Sequence, residues 1–169
     1  RGVRFRPMLR GGHQERGRRA GTENAPAIVG LGKACELARE SLPIELTQVA
    51  ALRDRLEAGV LARMPGARVN GGDAARIPNT SNISFIDRSG RPMEGEALLM
   101  KLDQAGIQVS MGAACAAGGM DPSHVLLALG LGSALAASSL RFSLSRYTQA
   151  SDIDAVLDAL PPIAARLAA

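Results

Sequence analysis

Cys115 is the residue whose surroundings best suit covalent chemistry. It lies in Met111-Gly112-Ala113-Ala114-Cys115-Ala116-Ala117-Gly118-Gly119-Met120, a run of small residues and not an apolar stripe. A structural thiol normally sits on the buried face of a helix or strand, whereas glycine around a thiol leaves the backbone free to move. A nucleophilic thiol acts as thiolate, and free cysteine titrates at roughly 8.5, so a neighbouring group must take its proton. The second cysteine, Cys35, recurs with Ile28 and Leu31 at helical spacing and reads as a core residue. The two cysteines form no CxxC pair and have no histidine cluster beside them, so neither a disulfide framework nor a metal site is expected.

Arg141 is the second chemical candidate. Residues 139–145 alternate strictly, with Leu140, Phe142 and Leu144 on one face and Ser139, Arg141, Ser143 and Ser145 on the other. A guanidinium on a rigid strand among serines suits bidentate capture of a carboxylate. The third candidate is Arg19-Ala20-Gly21-Thr22-Glu23-Asn24, where a hydroxyl precedes a helix start. Thr22 is there either a helix cap or, with the free amides of the first turn, a phosphate ligand. His13, in a glycine turn, and His124, in the first turn of a helix, read as local scaffolding.

These residues need elements to hold them. Residues 1–22, rich in Gly and Arg, read as an extended lead-in segment, and residues 23–169 as one small domain carrying a cysteine loop at about 108–121. A helix is predicted from Thr22 or Glu23, interrupted or restarted at Pro43. A second follows over about 44–63 with Leu46, Val49, Leu52, Leu56 and Val60 on one stripe. Residues 67–70 are predicted as a short strand before a Gly71-Gly72 turn. Residues 80–87 are β-like, with Ile83 and Phe85 on one side and Asn82, Ser84 and Ile86 on the other. Residues 94–104 form an amphipathic helix closed by Gly106, and 107–110 a short strand. Asp121-Pro122 reads as a cap with proline at the first helical position, and Gly130 as the stop. The last helix carries Ile153, Val156, Leu157 and Leu160, and Pro161-Pro162 is expected to kink or break it. The fold class is therefore α/β, a two-layer sandwich with a small, mostly antiparallel sheet packed against helices.

Composition excludes several classes. The 169 residues carry a net charge of +4, with seven arginines between Arg1 and Arg19. Basic-aromatic interleaving is absent, so no direct nucleic-acid binding is expected. No apolar run is long enough to span a membrane. Free thiols and the lack of a signal peptide point to a reducing, cytoplasmic setting. The start, Arg1-Gly2-Val3-Arg4, falls inside a pattern and reads as that of a fragment or processed chain.

Taken in order, the motifs resemble those of cysteine desulfurases in the class V aminotransferase group. Gln14-Glu15-Arg16-Gly17-Arg18-Arg19-Ala20-Gly21-Thr22-Glu23-Asn24 is similar to that family's QE-RG-R-GTEN signature, and Asn82-Ile83-Ser84-Phe85 to its N-(V/I)-S-F strand. Ser110-Met111-Gly112-Ala113-Ala114-Cys115 resembles its S-x-G-S-A-C loop. Pro122-Ser123-His124-Val125-Leu126 and Ser138-Ser139-Leu140-Arg141-Phe142-Ser143-Leu144-Ser145-Arg146 continue the same order. The resemblance spans nearly the whole chain. Met111, Ala113 and Ala116 depart from the hydroxyl residues usual there.

The resemblance implies the C-terminal domain of a fold-type I pyridoxal-phosphate enzyme. Sulfur would pass from L-cysteine to a persulfide on Cys115, with release of L-alanine, for iron–sulfur cluster or thio-cofactor assembly through a sulfur-acceptor protein. Arg141 and Asn82 would bind the substrate. Thr22 would contact the cofactor phosphate in the neighbouring subunit of a homodimer. The family's cofactor lysine follows a histidine in an upstream domain; Lys33 and Lys101 have no such context. Two alternatives remain at this point: a catalytically silent domain serving dimerisation or interaction, and a related selenocysteine lyase.

Overall fold

Apolar alternation on two strands and apolar stripes on three helices close the core. The computed structural model of the chain describes residues 5–111 and 122–168. Four strands, β1 (Arg68–Val69), β2 (Thr80–Ser84), β3 (Ser110–Met111) and β4 (Ser139–Ser143), form an antiparallel sheet in the order β1-β2-β4-β3. The two longest strands are therefore central, and β4 pairs with β2 across more than fifty residues of sequence. Helices α3 (Ala50–Arg63), α4 (Gly95–Gln104) and α7 (Ala150–Leu167) pack together on the apolar face of this sheet. The expected two-layer α/β architecture is what folds.

The alternation works as read. Ile83, Phe85, Leu140, Phe142 and Leu144 enter one core with Leu56, Val60, Leu98, Leu102, Ile153, Leu157 and Leu160. Each fully buried side chain of this size contributes about 1.5–3 kcal/mol. Two short helices, α5 (His124–Ala128) and α6 (Ser133–Ala137), follow the cysteine segment, and α6 packs beside β2. A partly buried ion pair ties the turn after β1 to α3. Arg76 donates to both oxygens of Glu57 at 2.8 and 3.0 Å, and the Ser81 hydroxyl donates to Glu57 at 2.7 Å. Burial alone would raise the Glu57 pKa, but these hydrogen bonds and the charges of Arg76 and Arg53 outweigh it and hold the carboxyl below its ordinary value.

The chain divides into two compact units, Arg1–Leu42 and Pro43–Ala169. In the first, a single turn, α1 (Gln14–Gly17), precedes α2 (Ala25–Ile44), whose last residues, Pro43 and Ile44, belong to the second. Helix α2 starts at Ala25 and not at Thr22 or Glu23, because Asn24 is the cap: its Oδ1 accepts from the Ala27 amide at 3.2 Å.

Proline interrupts the helical run at Pro43, as expected, and behaves differently from expectation at two other places. Helix α2 ends one residue after Pro43, at Ile44. A π-helical turn, Glu45–Val49, follows it, and the Thr47 hydroxyl donates to the Pro43 carbonyl at 2.8 Å. Pro161 and Pro162 lie inside an unbroken α7. Leu157 and Leu160 before them and Ala164 after them are all buried, so packing on both sides holds the helix through the two missing amides. Pro122 is not the first helical residue; α5 begins at His124 with Ser123 as cap, and Asp121 lies outside the described residues.

Cys35 is exposed, not a core residue. Its stripe mates Ile28 and Leu31 are 57% and 67% exposed. Their spacing specifies an apolar helix face, but spacing alone does not provide a surface to cover it.

Candidate functional site

Antiparallel register builds one polar row across the whole sheet. Asn82 on β2 lies directly opposite Arg141 on β4, and Arg141 lies opposite Ser110 on β3. On the far side of β2, the Asn70 amide, one residue past β1, donates to the Asn82 carbonyl at 2.8 Å. Residues paired in this way have Cβ atoms about 4.5–5.5 Å apart on one face. Asn70, Asn82, Arg141 and Ser110 thus form a line on the face opposite the core. Arg141 sits on a central strand with paired neighbours on both sides, half-buried, which is what a fixed guanidinium fork requires. Of the residues singled out from sequence, the fold brings together Asn82 and Arg141.

A chain of hydrogen bonds supports the Asn82 end. The Asn70 Nδ2 donates to Asn82 Oδ1 at 2.6 Å and to Ser84 Oγ at 2.8 Å. The Ser84 hydroxyl donates to the Leu135 carbonyl of α6 at 3.0 Å, and Ser138 donates to the same carbonyl at 2.8 Å. Asn70 is 93% buried, being 7% exposed, and its Oδ1 has no hydrogen-bond partner among the described residues. A buried acceptor left in this way costs about 1–3 kcal/mol. Asn70 escaped the sequence reading because it ended a predicted short strand over 67–70 and carried no pattern of its own; its burial beside Ser84 comes from non-local packing.

The serines beside Arg141 differ from one another. Ser139 is fully buried and its hydroxyl donates to the Ala136 carbonyl at 2.8 Å, so it fastens α6; Ser143 is exposed. Cys115 lies outside the described residues, which stop at Met111 and resume at Pro122.

Thr22 belongs to the first unit. It is exposed and follows Gly21, whose φ of 87° lies in the left-handed region. The motif around it is bonded to itself. The Gly21 amide donates to the Gln14 side chain at 3.2 Å, and the Arg19 guanidinium donates to the carbonyls of Gly21 and Thr22. Glu15 and Arg16 take φ of 50° and 59°, a costly conformation for residues other than glycine. His13 and His124 are both exposed.

A groove of about 1000 Å³ lies elsewhere. It is bordered by Arg63, Asp87, Arg88, Arg91, Met93 and Pro161 and shares no residue with the polar row. Its Asp87 accepts from the Ser89 hydroxyl at 2.6 Å and from the Arg91 amide at 2.9 Å, which hold its pKa at about 2. Asp87 therefore organises its own turn.

Residues 3–156 match the aminotransferase class-V family. The chain belongs to that family. Within the aminotransferase class-V family it is similar to the cysteine desulfurase NifS of Azotobacter vinelandii, at 53% identity over 167 residues, covering 99% of this chain and 40% of the relative. Its fold is similar to that of a NifS-like protein from Rickettsia africae, with a TM-score of 0.77 and 32% identity, covering 95% of this chain and 40% of the other. It is also similar to SspA in complex with cysteine, with a TM-score of 0.54 and 31% identity, covering 85% of this chain and 36% of that one. The chain thus spans about 40% of the length of the first two relatives.

Proposed function

We propose that this chain is the substrate-gripping and sulfur-accepting part of a pyridoxal-phosphate-dependent cysteine desulfurase. The observation that carries the reading is the polar row: a half-buried arginine on a central strand, flanked by Asn82 and by Ser110, five residues before Cys115 in the sequence. Five residues of chain reach at most about 18 Å, so the thiol is tethered to the strand beside the guanidinium. The similarity to the desulfurase of Azotobacter vinelandii and to a protein solved with cysteine supports the same assignment.

In this reading the Arg141 fork holds the carboxylate of L-cysteine, and Asn82 adds a neutral donor beside it. Cys115 attacks as thiolate at the substrate sulfur. A sulfur–sulfur bond forms, the carbon–sulfur bond of the substrate breaks, and Cys115 leaves as persulfide while the carbon skeleton leaves as L-alanine after protonation. The bound cofactor supplies the electron sink for that cleavage. Lys33 and Lys101 do not fit its covalent anchor: Lys33 pairs with Glu36 at 2.8 Å and Lys101 donates to Gln104 at 3.1 Å, both on exposed helix faces. Thr22 serves the cofactor phosphate in the partner subunit of a homodimer. The persulfide passes to an acceptor protein, in the cytoplasm, for iron–sulfur or thio-cofactor assembly. Among the described residues no helix is long and apolar enough to cross a membrane.

The test is the protein as its gene encodes it, loaded with pyridoxal phosphate and given L-cysteine. Cys115→Ala is expected to abolish sulfide release and persulfide labelling. Undiminished turnover in that variant would sink the role of Cys115. A second reading, that the 169 residues alone are catalytically silent and serve interaction, is favoured by the paired, exposed lysines. It fails if borohydride traps pyridoxal phosphate on Lys33 or Lys101.

A further inference from the structure

We infer that Asn70 is a positioning residue for carboxylate recognition, fixing which end of the Asn82 amide faces the substrate; this rests on the desulfurase reading of the polar row. Oxygen and nitrogen of an amide side chain are interchangeable in shape, so their assignment must come from the hydrogen-bond network. Here the network has one fixed end. The Leu135 carbonyl can only accept, and Ser84 approaches it at 3.0 Å. A hydroxyl has a single proton, so the proton of Ser84 points to Leu135 and its lone pairs face Asn70. The atom of Asn70 at 2.8 Å from Ser84 is therefore the nitrogen.

The same nitrogen stands 2.6 Å from the Asn82 side chain, and its second proton needs an acceptor there. That makes the facing atom of Asn82 the oxygen, which leaves the Asn82 nitrogen as a donor on the polar face. Reversing both amides would put two acceptors, Ser84 and the Leu135 carbonyl, against each other. It would also leave an NH2 at the partnerless position now held by Asn70 Oδ1. The polarity therefore runs one way, from the carbonyl of α6 through Ser84 and Asn70 to Asn82. Asn82 lies opposite Arg141 in the register. The result is two donor groups side by side on adjacent strands, the arrangement that suits a carboxylate.

Asn70 touches no substrate in this scheme; it acts through Asn82. Asn70→Asp replaces the donor by acceptors of nearly the same shape. The Asn82 amide then turns its nitrogen toward residue 70 and its oxygen toward the substrate carboxylate. In the pyridoxal-phosphate-loaded protein as its gene encodes it, KM for L-cysteine is expected to rise about tenfold while kcat stays within about twofold. Asn82→Asp, which puts a charged oxygen at the same place, is expected to give the same split with a larger KM. KM unchanged in a folded Asn70→Asp overturns the proposal. A neutron diffraction structure of the unaltered protein reads the amide directly, whatever its turnover. Asn82 oxygen facing Asn70 supports the proposal, and Asn82 nitrogen facing Asn70 overturns it. Absence of L-cysteine turnover in the unaltered protein, by contrast, counts against the desulfurase reading alone.

Discussion

At the residue scale, the carboxylate grip proposed for Arg141 depends on what a guanidinium does that an ammonium cannot. Arg141 sits on a strand paired on both sides, and its planar fork suits two parallel hydrogen bonds to a carboxylate. Arg141→Lys keeps the charge and loses the fork. Its expected effect is a rise of about tenfold in KM for L-cysteine with little change in kcat, read from steady-state kinetics. Gly95 makes a different demand. A Cβ there would run into the Ala137 carbonyl, with the Met111 Cε 3.3 Å away, because α4 begins against the backbone joining α6 to β4. Gly95→Ala is expected to lower stability by about 1–3 kcal/mol in a denaturant titration.

At the scale of elements, the Asp87 turn and helix α7 hold their shapes by opposite means. The turn is held by one carboxylate that collects the Ser89 hydroxyl and the backbone amides of Ser89 and Arg91. Asp87 has a pKa of about 2 in the fold against an ordinary value of 3.8. A depressed carboxylate stabilises fully above the ordinary value, and its contribution disappears as pH falls through the folded value. The turn is expected to stay intact at pH 4 and to loosen between about pH 4 and pH 2, followed by the amide signals of Ser89 and Arg91 in NMR. Helix α7 tolerates Pro161 and Pro162 because buried residues flank them. Pro161→Ala is expected to raise the melting temperature, since it returns a helical amide and removes a ring clash in a place already shaped as helix.

At the scale of the whole molecule, the first unit carries a helix whose apolar residues meet solvent. Ile28, Val29 and Leu31 are all more than half exposed, and Cys35 is exposed with them. Apolar residues left exposed along one helix leave Cys35 open to solvent. In a Cys115→Ala variant of the 169-residue chain, Cys35 is expected to react with a maleimide at the rate of a free thiol. Protection of Cys35 in the dilute chain would mean that the face is already covered.

Alternation and helical spacing were enough to determine the α/β class, the two faces of the central strands, and the buried positions from Val49 to Leu160. Both patterns are local, repeating every two or 3.6 residues, and each residue's neighbours in sequence carry them. Arg141 and Asn82 were likewise visible as polar residues on strands. Local pattern left four things open. The register of β2 against β4 decides that Asn82 meets Arg141, and that pairing joins residues far apart in sequence. Packing of α6 decides that Asn70, at the end of a predicted strand, and Ser84, on a strand face, form a hydrogen-bonded support. Packing around Leu157, Leu160 and Ala164 overrides two prolines, and the exposure of Cys35 overrides a helical stripe, because a pattern states what a face needs while only the assembled chain decides what it meets.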